Sequence, residues 1–382
     1  MFRYFLLLLI PLSVASCKRT FRGVVDRVEE IVVPRTPRES FARNRFDGLA
    51  AEETLKDEWE AAYRAALDDT LEVSLPYREV VRYAPDVTLS ALSYRFLLPP
   101  GRRLMVRIDD DRAPVFGELF TVPDTGRIDP EDAILRWDLR EKGLYYETEL
   151  RGGEELLLLL QSAPADSGTF AVELRTDPIL TFPVAGHDQG DVQSFWGDAR
   201  SGGRRHEGND IFAPRGTPLV AVADGRVSSV KDGGLGGKTI WLVDAEGRSL
   251  SYYYAHLDRQ LVRAGQMVSR GDTIGLVGNT GNARTTPAHL HFGIYRNGAR
   301  DPWPYLLRAD EAPVPVDYPI AAEVPAAVPA RGRHYLRVRP ESRREVVVRQ
   351  LDNTEPVTVL GATGRFYRIR TGRGETGYVN FD

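Results

Sequence analysis

Beyond Leu71, apolar and polar residues alternate along much of the chain with a period of two. The first clear example covers residues 94–98, and a second covers residues 104–108 after the turn Pro99-Pro100-Gly101. Successive side chains of a β-strand point to opposite faces of a sheet, so this alternation indicates half-buried strands joined by tight turns. Short turns join antiparallel strands. The chain is therefore predicted to be mainly β, with antiparallel sheets.

Changes in this pattern divide the chain into modules. A chain of 382 residues exceeds the usual size of one hydrophobic core, so roughly two or three domains are expected. Residues 18–70 place apolar side chains, including Trp59 and Tyr63, at three- and four-residue steps, which predicts a helical segment that packs with these aromatic residues inward. Residues 71–180 are predicted to form an accessory β-sandwich. Residues 181–307 contain dense strand signals and glycine turns but no long helical pattern, which predicts another all-β domain.

Composition limits the kinds of site that the chain can build. Hydrophobic residues make up 42% and charged residues 27%, which is typical of a globular protein. The net charge of -4 is too small to imply a partner, and no nucleic-acid ligand is expected. A single cysteine excludes an intramolecular disulfide framework and a zinc site made of thiolates. A metal in this chain is therefore expected on histidine and carboxylate.

The cysteine lies at the end of an N-terminal targeting pattern. Arg3 is followed by an apolar run over residues 4–12 and by Val14-Ala15-Ser16-Cys17, which are the parts of a secretory signal. The run is too short to span a bilayer as a permanent helix. The last four residues resemble a bacterial lipobox, which implies cleavage before Cys17 and its acylation; the alternative is an ordinary signal peptide with an incidental cysteine. Because Lys18 follows in place of the inner-membrane retention aspartate, the resemblance implies an outer-membrane anchor that faces the periplasm.

Four of the six histidines lie between residues 205 and 294, in three short motifs. His206 and Asp210 share the first, His256 follows a run of tyrosines in the second, and His289 and His291 share the third. Side chains two or four positions apart in a strand point to the same face, so each of the two pairs should project together if its segment is extended. Two histidines and an aspartate can hold one Zn²⁺ and leave its fourth tetrahedral position to water. Zinc lowers the pKa of such a water to about 7.

These three motifs, in this order and at roughly this spacing, resemble the LytM/lysostaphin-type (M23) zinc metallopeptidases. That family cuts peptide cross-links in bacterial cell walls. The resemblance extends to turns at residues 212–218, 224–227 and 265–272, which look like scaffold turns of the family. The likeness therefore rests on more than the coincidence of three histidines.

The resemblance assigns roles to five residues. His206, Asp210 and His291 are implied to be the zinc ligands. His289 and His256 are implied to stay free of the metal, one to transfer protons and the other to stabilise the oxyanion or share the base role. The sequence does not divide these two roles between them.

Other residues near the motifs depart from the family pattern or match nothing in it. Gly293 stands where the family usually carries glutamate, which could change substrate contacts but not the ligand set. Glu207 is not the base of a His-Glu-x-x-His helix, because the second histidine of that motif is missing. His187 and His334 match no motif and are predicted to be surface or supporting residues.

The C-terminal part of the chain contains a linker and one more small domain. Residues 308–331 are rich in proline and alanine, which predicts a semi-rigid linker. Residues 332–382 return to alternation, and their order and the ending Gly377-Tyr378-Val379 resemble a bacterial SH3-like barrel. The segment from residue 331 onward holds eleven arginines against six acidic residues. This excess fits either a solvated basic surface or a surface that binds wall polymer.

These features predict a mainly β, multi-domain protein: an N-terminal helix and β-sandwich, an M23-type peptidase domain and an SH3-like barrel. The predicted function is that of a lipid-anchored, zinc-dependent endopeptidase that hydrolyses the peptide cross-links of peptidoglycan. The rival hypothesis is a non-catalytic LytM-type protein that activates a cell-wall amidase. Members of that type typically lose metal ligands or the free histidines, whereas this chain keeps all five residues. The expected partners are peptidoglycan, the membrane through the N-terminal anchor and, under the rival hypothesis, an amidase.

Overall fold

The structure is a computed structural model that describes residues 35–46, 53–83, 90–109, 115–138, 144–147, 153–164, 168–309, 328–329 and 331–381. The predicted signal peptide and lipobox at 1–17, and most of the predicted linker at 308–331, lie outside these residues. The chain divides into two compact units, Met1–Lys56 and Asp57–Asp382. Within the described residues, no helix has the length and apolar character needed to cross a membrane.

Two helices begin the described part of the chain. Helix α1 spans Pro37–Phe46 and helix α2 spans Glu53–Leu67. A reciprocal pair of hydrogen bonds caps α1: the Glu39 amide donates to the Thr36 hydroxyl (3.1 Å), and the Thr36 amide donates to the Glu39 carboxylate (2.9 Å). This capping box satisfies two amide groups that a helix N-terminus would otherwise leave unpaired.

The C-terminal part of α2 packs against the accessory domain with its aromatic residues inward. Trp59 is fully buried and Tyr63 nearly so. The Trp59 indole donates a hydrogen bond to the Ser162 carbonyl (2.9 Å), and the side-chain amide of Gln161 donates to the Trp59 carbonyl (2.7 Å). The prediction of a packing helix with a buried aromatic stripe is therefore confirmed.

The accessory domain is a sandwich of two antiparallel sheets. Its strands are β1 (Tyr77–Tyr83), β2 (Ala91–Leu98), β3 (Arg102–Asp109), β4 (Val115–Thr121), β5 (Leu135–Asp138), β6 (Leu144–Glu147), β7 (Glu154–Ser162) and β8 (Gly168–Pro178). One sheet has the order β2-β7-β4-β5, and the other contains β1-β8-β3-β6. Residues 156–160 of β7 are at most 2% exposed, because the facing sheet covers one side of this strand and α2 covers the other. Such a continuous apolar run is typical of a strand that is buried on both faces.

The C-terminal domain continues one sheet of the sandwich. Its strands are β20 (Tyr335–Arg337), β21 (Val347–Gln350), β22 (Val357–Thr363), β23 (Phe366–Thr371) and β24 (Thr376–Val379). Strand β22 pairs antiparallel with β1, which gives one sheet of order β21-β20-β24-β23-β22-β1-β8-β3-β6. At this junction Gly361 lies so close to Glu79 that an added Cβ would lie 2.4 Å from its carboxylate. The sequence predicted a small separate barrel and gave no sign of this continuous sheet.

A buried arginine lies at the same junction. Arg368 is fully buried and donates hydrogen bonds to the Asp69 carboxylate (3.1 Å) and the Ser93 carbonyl (3.0 Å). Its guanidinium also lies 3.7 Å from Glu79, which is fully buried, and 5.2 Å from the Tyr94 ring centroid. This arginine therefore does not contribute to a basic surface, and it ties the C-terminal domain to the sandwich.

The remaining strands form the domain that carries the histidines. They are β9 (Val192–Ser194), β10 (Asn209–Phe212), β11 (Pro218–Val220), β12 (Gly225–Asp232), β13 (Lys238–Asp244), β14 (Ser251–Ala255), β15 (Arg259–Gln260), β16 (Met267–Val268), β17 (Thr273–Leu276), β18 (His289–Tyr295) and β19 (Ala299–Arg300), followed by the short helix α3 (Trp303–Leu306). The main sheet has the order β16-β12-β13-β14-β18-β10-β9, and β11-β17-β15 form a second sheet. Residues from both sheets share one apolar core. The outer face of the main sheet is left for polar side chains.

Candidate metal centre and catalytic groove

Strands β10 and β18 bring three of the predicted site residues together. The two strands pair antiparallel with Asp210 opposite His291. Ile211 and Leu290 are fully buried in the core, so their neighbours Asp210 and His291 point to the outer face. The first motif is extended as a strand only from Asn209, and His206 reaches the same place from the loop before β10.

Three nitrogen and oxygen atoms converge on one point. The His206 Nε2 atom lies 3.1 Å from the Asp210 Oδ1 atom and 2.9 Å from the His291 Nδ1 atom, and the last two atoms are 3.0 Å apart. All the donor atoms of this cluster lie within 4.8 Å of one another. The three residues that the sequence placed at the metal therefore form one cluster.

The donor chemistry of this cluster fits a zinc ion. The His206 Nδ1–H group donates to the Phe195 carbonyl (2.8 Å), so in the neutral imidazole Nε2 carries only a lone pair. Lone pairs of two imidazoles and one carboxylate that face one another are stabilised by a cation between them. Two nitrogens and one oxygen are also the ligand types that zinc takes in open, three-ligand sites.

Asp210 remains ionised in this environment. Burial alone would raise the pKa of its carboxyl, but the adjacent imidazoles of His206 and His291 outweigh burial and hold that pKa well below its usual range. The second oxygen, Oδ2, accepts a hydrogen bond from Arg200 (2.9 Å), which also donates to the Ser194 hydroxyl (2.7 Å). The sequence did not identify Arg200, because nothing in a lone arginine six residues before the histidine marks it as a partner of the aspartate.

A glycine makes room for the ring of His291. A Cβ atom added at Gly208 would lie 2.7 Å from the His291 Cε1 atom and 2.5 Å from the Phe292 carbonyl oxygen. Both separations are too short for a carbon atom. Gly208 therefore allows the His291 imidazole to turn its Nδ1 atom toward the other two donors.

His256 and His289 lie beside the cluster and outside it. Their ring centroids are 5.1 Å apart, and the His256 centroid lies 5.9 Å from that of His291. The His256 Nδ1 atom is hydrogen-bonded to the Thr280 carbonyl (2.9 Å), and the His289 Nδ1 atom to the Pro287 carbonyl (2.9 Å). A carbonyl only accepts, so both Nδ1 atoms carry the proton and both Nε2 atoms are left free to accept one.

His256 is held in an environment that keeps it neutral. Burial, followed by the nearby His289 and His291, lowers the pKa of its imidazole to about 4. Its backbone adopts a φ of 68°, in the left-handed region that non-glycine residues rarely occupy. Such strain persists where the surroundings fix a conformation, and here the His256 amide donates to the Gly236 carbonyl (2.8 Å).

The five residues line one groove with a cavity volume of about 690 Å³. One wall carries Arg200, Arg204 and Arg205, and the floor includes Tyr253 and Tyr295. These two tyrosines pack around Trp241, with ring centroids 4.6 Å and 4.9 Å from its own. The groove is therefore polar and basic on one side and aromatic along the floor.

The structure explains the glycine that replaces the usual glutamate. A Cβ atom added at Gly293 would lie 2.9 Å from the Tyr295 ring and 3.2 Å from the Glu207 carbonyl. The tyrosine ring thus occupies the space that a side chain at position 293 would need.

The two remaining histidines lie away from the groove. His187 is partly exposed, and its Nδ1 atom lies 2.9 Å from the Asp191 carboxylate. His334 is only 5% exposed and packs against Phe381 in the C-terminal domain. The prediction of a surface or supporting role is wrong for His334, which belongs to the interior of that domain.

The fold and the site together define a β-sheet domain with a three-donor metal cluster and two additional histidines in an open groove. Residues 204–302 match the sequence model of Peptidase family M23, and residues 334–380 match the model of the bacterial SH3 domain. The chain therefore contains an M23 peptidase domain and a bacterial SH3 domain, which confirms both resemblances.

Three curated relatives show how this similarity is distributed. The chain is 37% identical over 139 residues to the L-Ala--D-Glu endopeptidase of Bacillus subtilis, covering 33% of this chain and 42% of the relative. It is 32% identical over 160 residues to the peptidoglycan DD-endopeptidase ShyA of Vibrio cholerae, covering 42% of this chain and 32% of the relative. It is 37% identical over 115 residues to the glycyl-glycine endopeptidase ALE-1 of Staphylococcus capitis, covering 28% of this chain and 30% of the relative. The chain spans less than half the length of each of these relatives.

Proposed function

We propose that this protein is a zinc-dependent endopeptidase that hydrolyses peptide cross-links of bacterial peptidoglycan. The observation that carries the proposal is the convergence of five side chains in one groove: three form a cluster of metal donors, and two beside it have Nδ1 bonded to a backbone carbonyl and Nε2 free to accept a proton. The three relatives described above are endopeptidases, which supports the same class of reaction.

His206, Asp210 and His291 would hold the zinc ion. When bound, zinc supplies a Lewis acid that polarises the scissile carbonyl and lowers the pKa of a water. The free Nε2 atoms of His289 and His256 serve the proton transfers: either can accept the proton of the attacking water and return it to the leaving amine, and the two rings can share this role. Both rings are held in place by hydrogen bonds from Nδ1 to backbone carbonyls.

The experiment that tests this function uses His289→Ala in the purified full-length chain. The variant should keep one zinc per chain, because His289 lies outside the cluster, yet cleave purified muropeptides about 100-fold more slowly or worse. Zinc content is measured by elemental analysis and cleavage by separation of the products. A wild-type chain that is inert alone, stimulates an added amidase and is indifferent to His289→Ala would support the activator hypothesis instead.

We also propose that the protein is lipid-anchored at Cys17 in the outer membrane and faces the periplasm. The lipobox-like sequence and the lysine after the cysteine support this location. Cys17→Ser should leave the precursor uncleaved or release the protein from the membrane fraction. Normal processing and continued recovery in the membrane pellet would contradict the anchor.

A further inference from the structure

One wall of the groove is a short hairpin that concentrates positive charge. We call residues 200–205 the arginine hairpin. Ala199 and Arg205 form an antiparallel bridge, and the Arg200 amide donates to the Arg204 carbonyl (2.9 Å). Gly202 and Gly203 at the tip have φ values of 73° and 72°, a conformation that glycine adopts without steric cost. The tight turn holds three arginines beside the metal cluster.

The charge of the groove differs from that of the rest of the chain. The arginine hairpin contributes three cations to the lining, and Glu207 is the single acidic group there besides Asp210. The opposite wall is uncharged and consists of Leu235, Gly236, Asn282, Ala283 and Thr286. The whole chain has a formal net charge of -4, so average composition does not account for this local positive excess.

Arg200 is committed to the metal cluster, whereas Arg204 and Arg205 are the exposed arginines of the hairpin. Arg200 donates to Asp210 and Ser194. Arg204 and Arg205 are exposed, and the Arg205 guanidinium donates one hydrogen bond to the Gly197 carbonyl (3.1 Å). A guanidinium has five N–H groups, so this bond leaves Arg205 with the capacity to bind a ligand as well.

The acidic residue of the same wall lies toward the aromatic end of the groove. After burial, the Glu207 carboxylate is the main group that raises the pKa of Tyr295, to about 12. The charge of Glu207 therefore acts near Tyr295, on the side of the cluster away from His289.

We infer that this groove selects cross-linked stem peptides that carry a free carboxylate near the scissile amide, in preference to an uncharged glycine bridge or an amidated stem. The inference rests on the proposed function and makes its substrate class specific. Guanidinium groups bind carboxylates through paired, charge-assisted hydrogen bonds, and Arg204 and Arg205 are placed to make them. Glycine bridges offer no side-chain charge to this wall.

The experiment compares two synthetic cross-linked peptides that differ at one group. One carries the free α-carboxylate of its γ-linked D-glutamate and the other carries the carboxamide; a glycine-bridged peptide is the third substrate. The zinc-loaded wild-type chain should cleave the carboxylate peptide with a kcat/KM roughly fivefold higher than the carboxamide peptide, as expected for ion pairs at an exposed rim. This ratio should shrink as salt is added.

The double variant Arg204→Gln/Arg205→Gln connects the preference to the hairpin. It should cleave the two stem peptides equally and keep its zinc content, because neither arginine is a donor of the metal cluster. Arg263→Gln removes an exposed arginine that is not part of the groove lining and should leave the ratio unchanged.

The outcomes separate the two levels of the proposal. Equal rates for the two stem peptides in the wild type, faster cleavage of the glycine-bridged peptide, or a ratio that survives in the double variant would overturn the carboxylate preference while leaving the endopeptidase intact. If no substrate is cleaved, the proposed function fails. The preference is then measured by equilibrium binding of the two intact stem peptides, and equal affinity overturns it.

Discussion

Replacement of Arg200 by alanine should weaken zinc binding without removing a ligand. The Arg200 guanidinium lies 2.9 Å from Oδ2 of Asp210, while Oδ1 of the same carboxylate faces His206 and His291. The arginine thus fixes the rotation of the carboxylate so that Oδ1 faces the two histidines. Without it, the carboxylate can turn, and the three donors are no longer held in the geometry that zinc requires.

The expected magnitude follows from the exposure of this ion pair. A hydrogen bond to a charged group contributes about 1.5–3 kcal/mol when it is well shielded. The Arg200 side chain is 34% exposed and the Asp210 side chain 12%, so the lower end of that range is appropriate. A loss of about 1.4 kcal/mol corresponds to a roughly tenfold higher Kd for zinc. This value lies at the lower end of the 10- to 100-fold losses that follow removal of groups supporting metal ligands.

The assay is competition for zinc between the purified chain and a chromophoric chelator, which measures the Kd without reference to activity. Arg200→Lys should restore part of the affinity, because lysine can still donate to Oδ2. Arg215→Ala is the matched control, since Arg215 also pairs with an aspartate, Asp258, that is not a metal donor. An unchanged zinc Kd in Arg200→Ala, or an equal loss in the control, would refute the reasoning.

Three further predictions follow from the same structure. Gly208→Ala should weaken zinc binding at least about tenfold in the chelator assay, because the new Cβ would displace the ring of His291. The metal-free chain should lose stability as the pH falls from 6.5 to about 4. The pKa of His256 is depressed in the folded chain, so in this pH window the unfolded chain binds a proton at His256 that the folded chain does not. His256→Asn should flatten this pH dependence of the free energy of unfolding, measured by urea titration. Arg368→Ala should lower the free energy of unfolding by about 3–5 kcal/mol, because it leaves a buried carboxylate unpaired; the exposed Arg365→Ala should have little effect in the same titrations.

The local pattern of the sequence was sufficient to predict most strands. Strand β18 spans His289–Tyr295, and the prediction that His289 and His291 project together from an extended segment is confirmed. Periodicity predicts such elements because the side-chain period of a strand is a local property of the backbone. The expectation for His206 and Asp210 assumed that their whole segment is extended. Strand β10 begins only at Asn209, so His206 lies in the loop before this short strand.

The joining of the C-terminal domain to the sandwich was not predictable in this way. The pairing of β1 with β22 connects residues far apart in the chain, and the pattern of either strand alone is the same whether its edge is free or paired. The eleven arginines of the C-terminal segment left open whether they form a basic surface. The fold buries Arg368 and places Arg349 between Glu355 and Glu375, which removes these two charges from a free basic surface.

The sequence by itself singled out the five residues that the structure gathers in one groove, because the motifs at His206, His256 and His289 fix residue type and order. It also determined the β class of the fold, because alternation is local. Only the tertiary structure decided what supports those residues: the bond of Arg200 to Asp210, the carbonyls that hold His256 and His289, and the hairpin that gives the groove its charge. Backbone carbonyls and lone arginines carry no pattern of their own, and their roles arise when the fold brings distant segments within hydrogen-bonding distance.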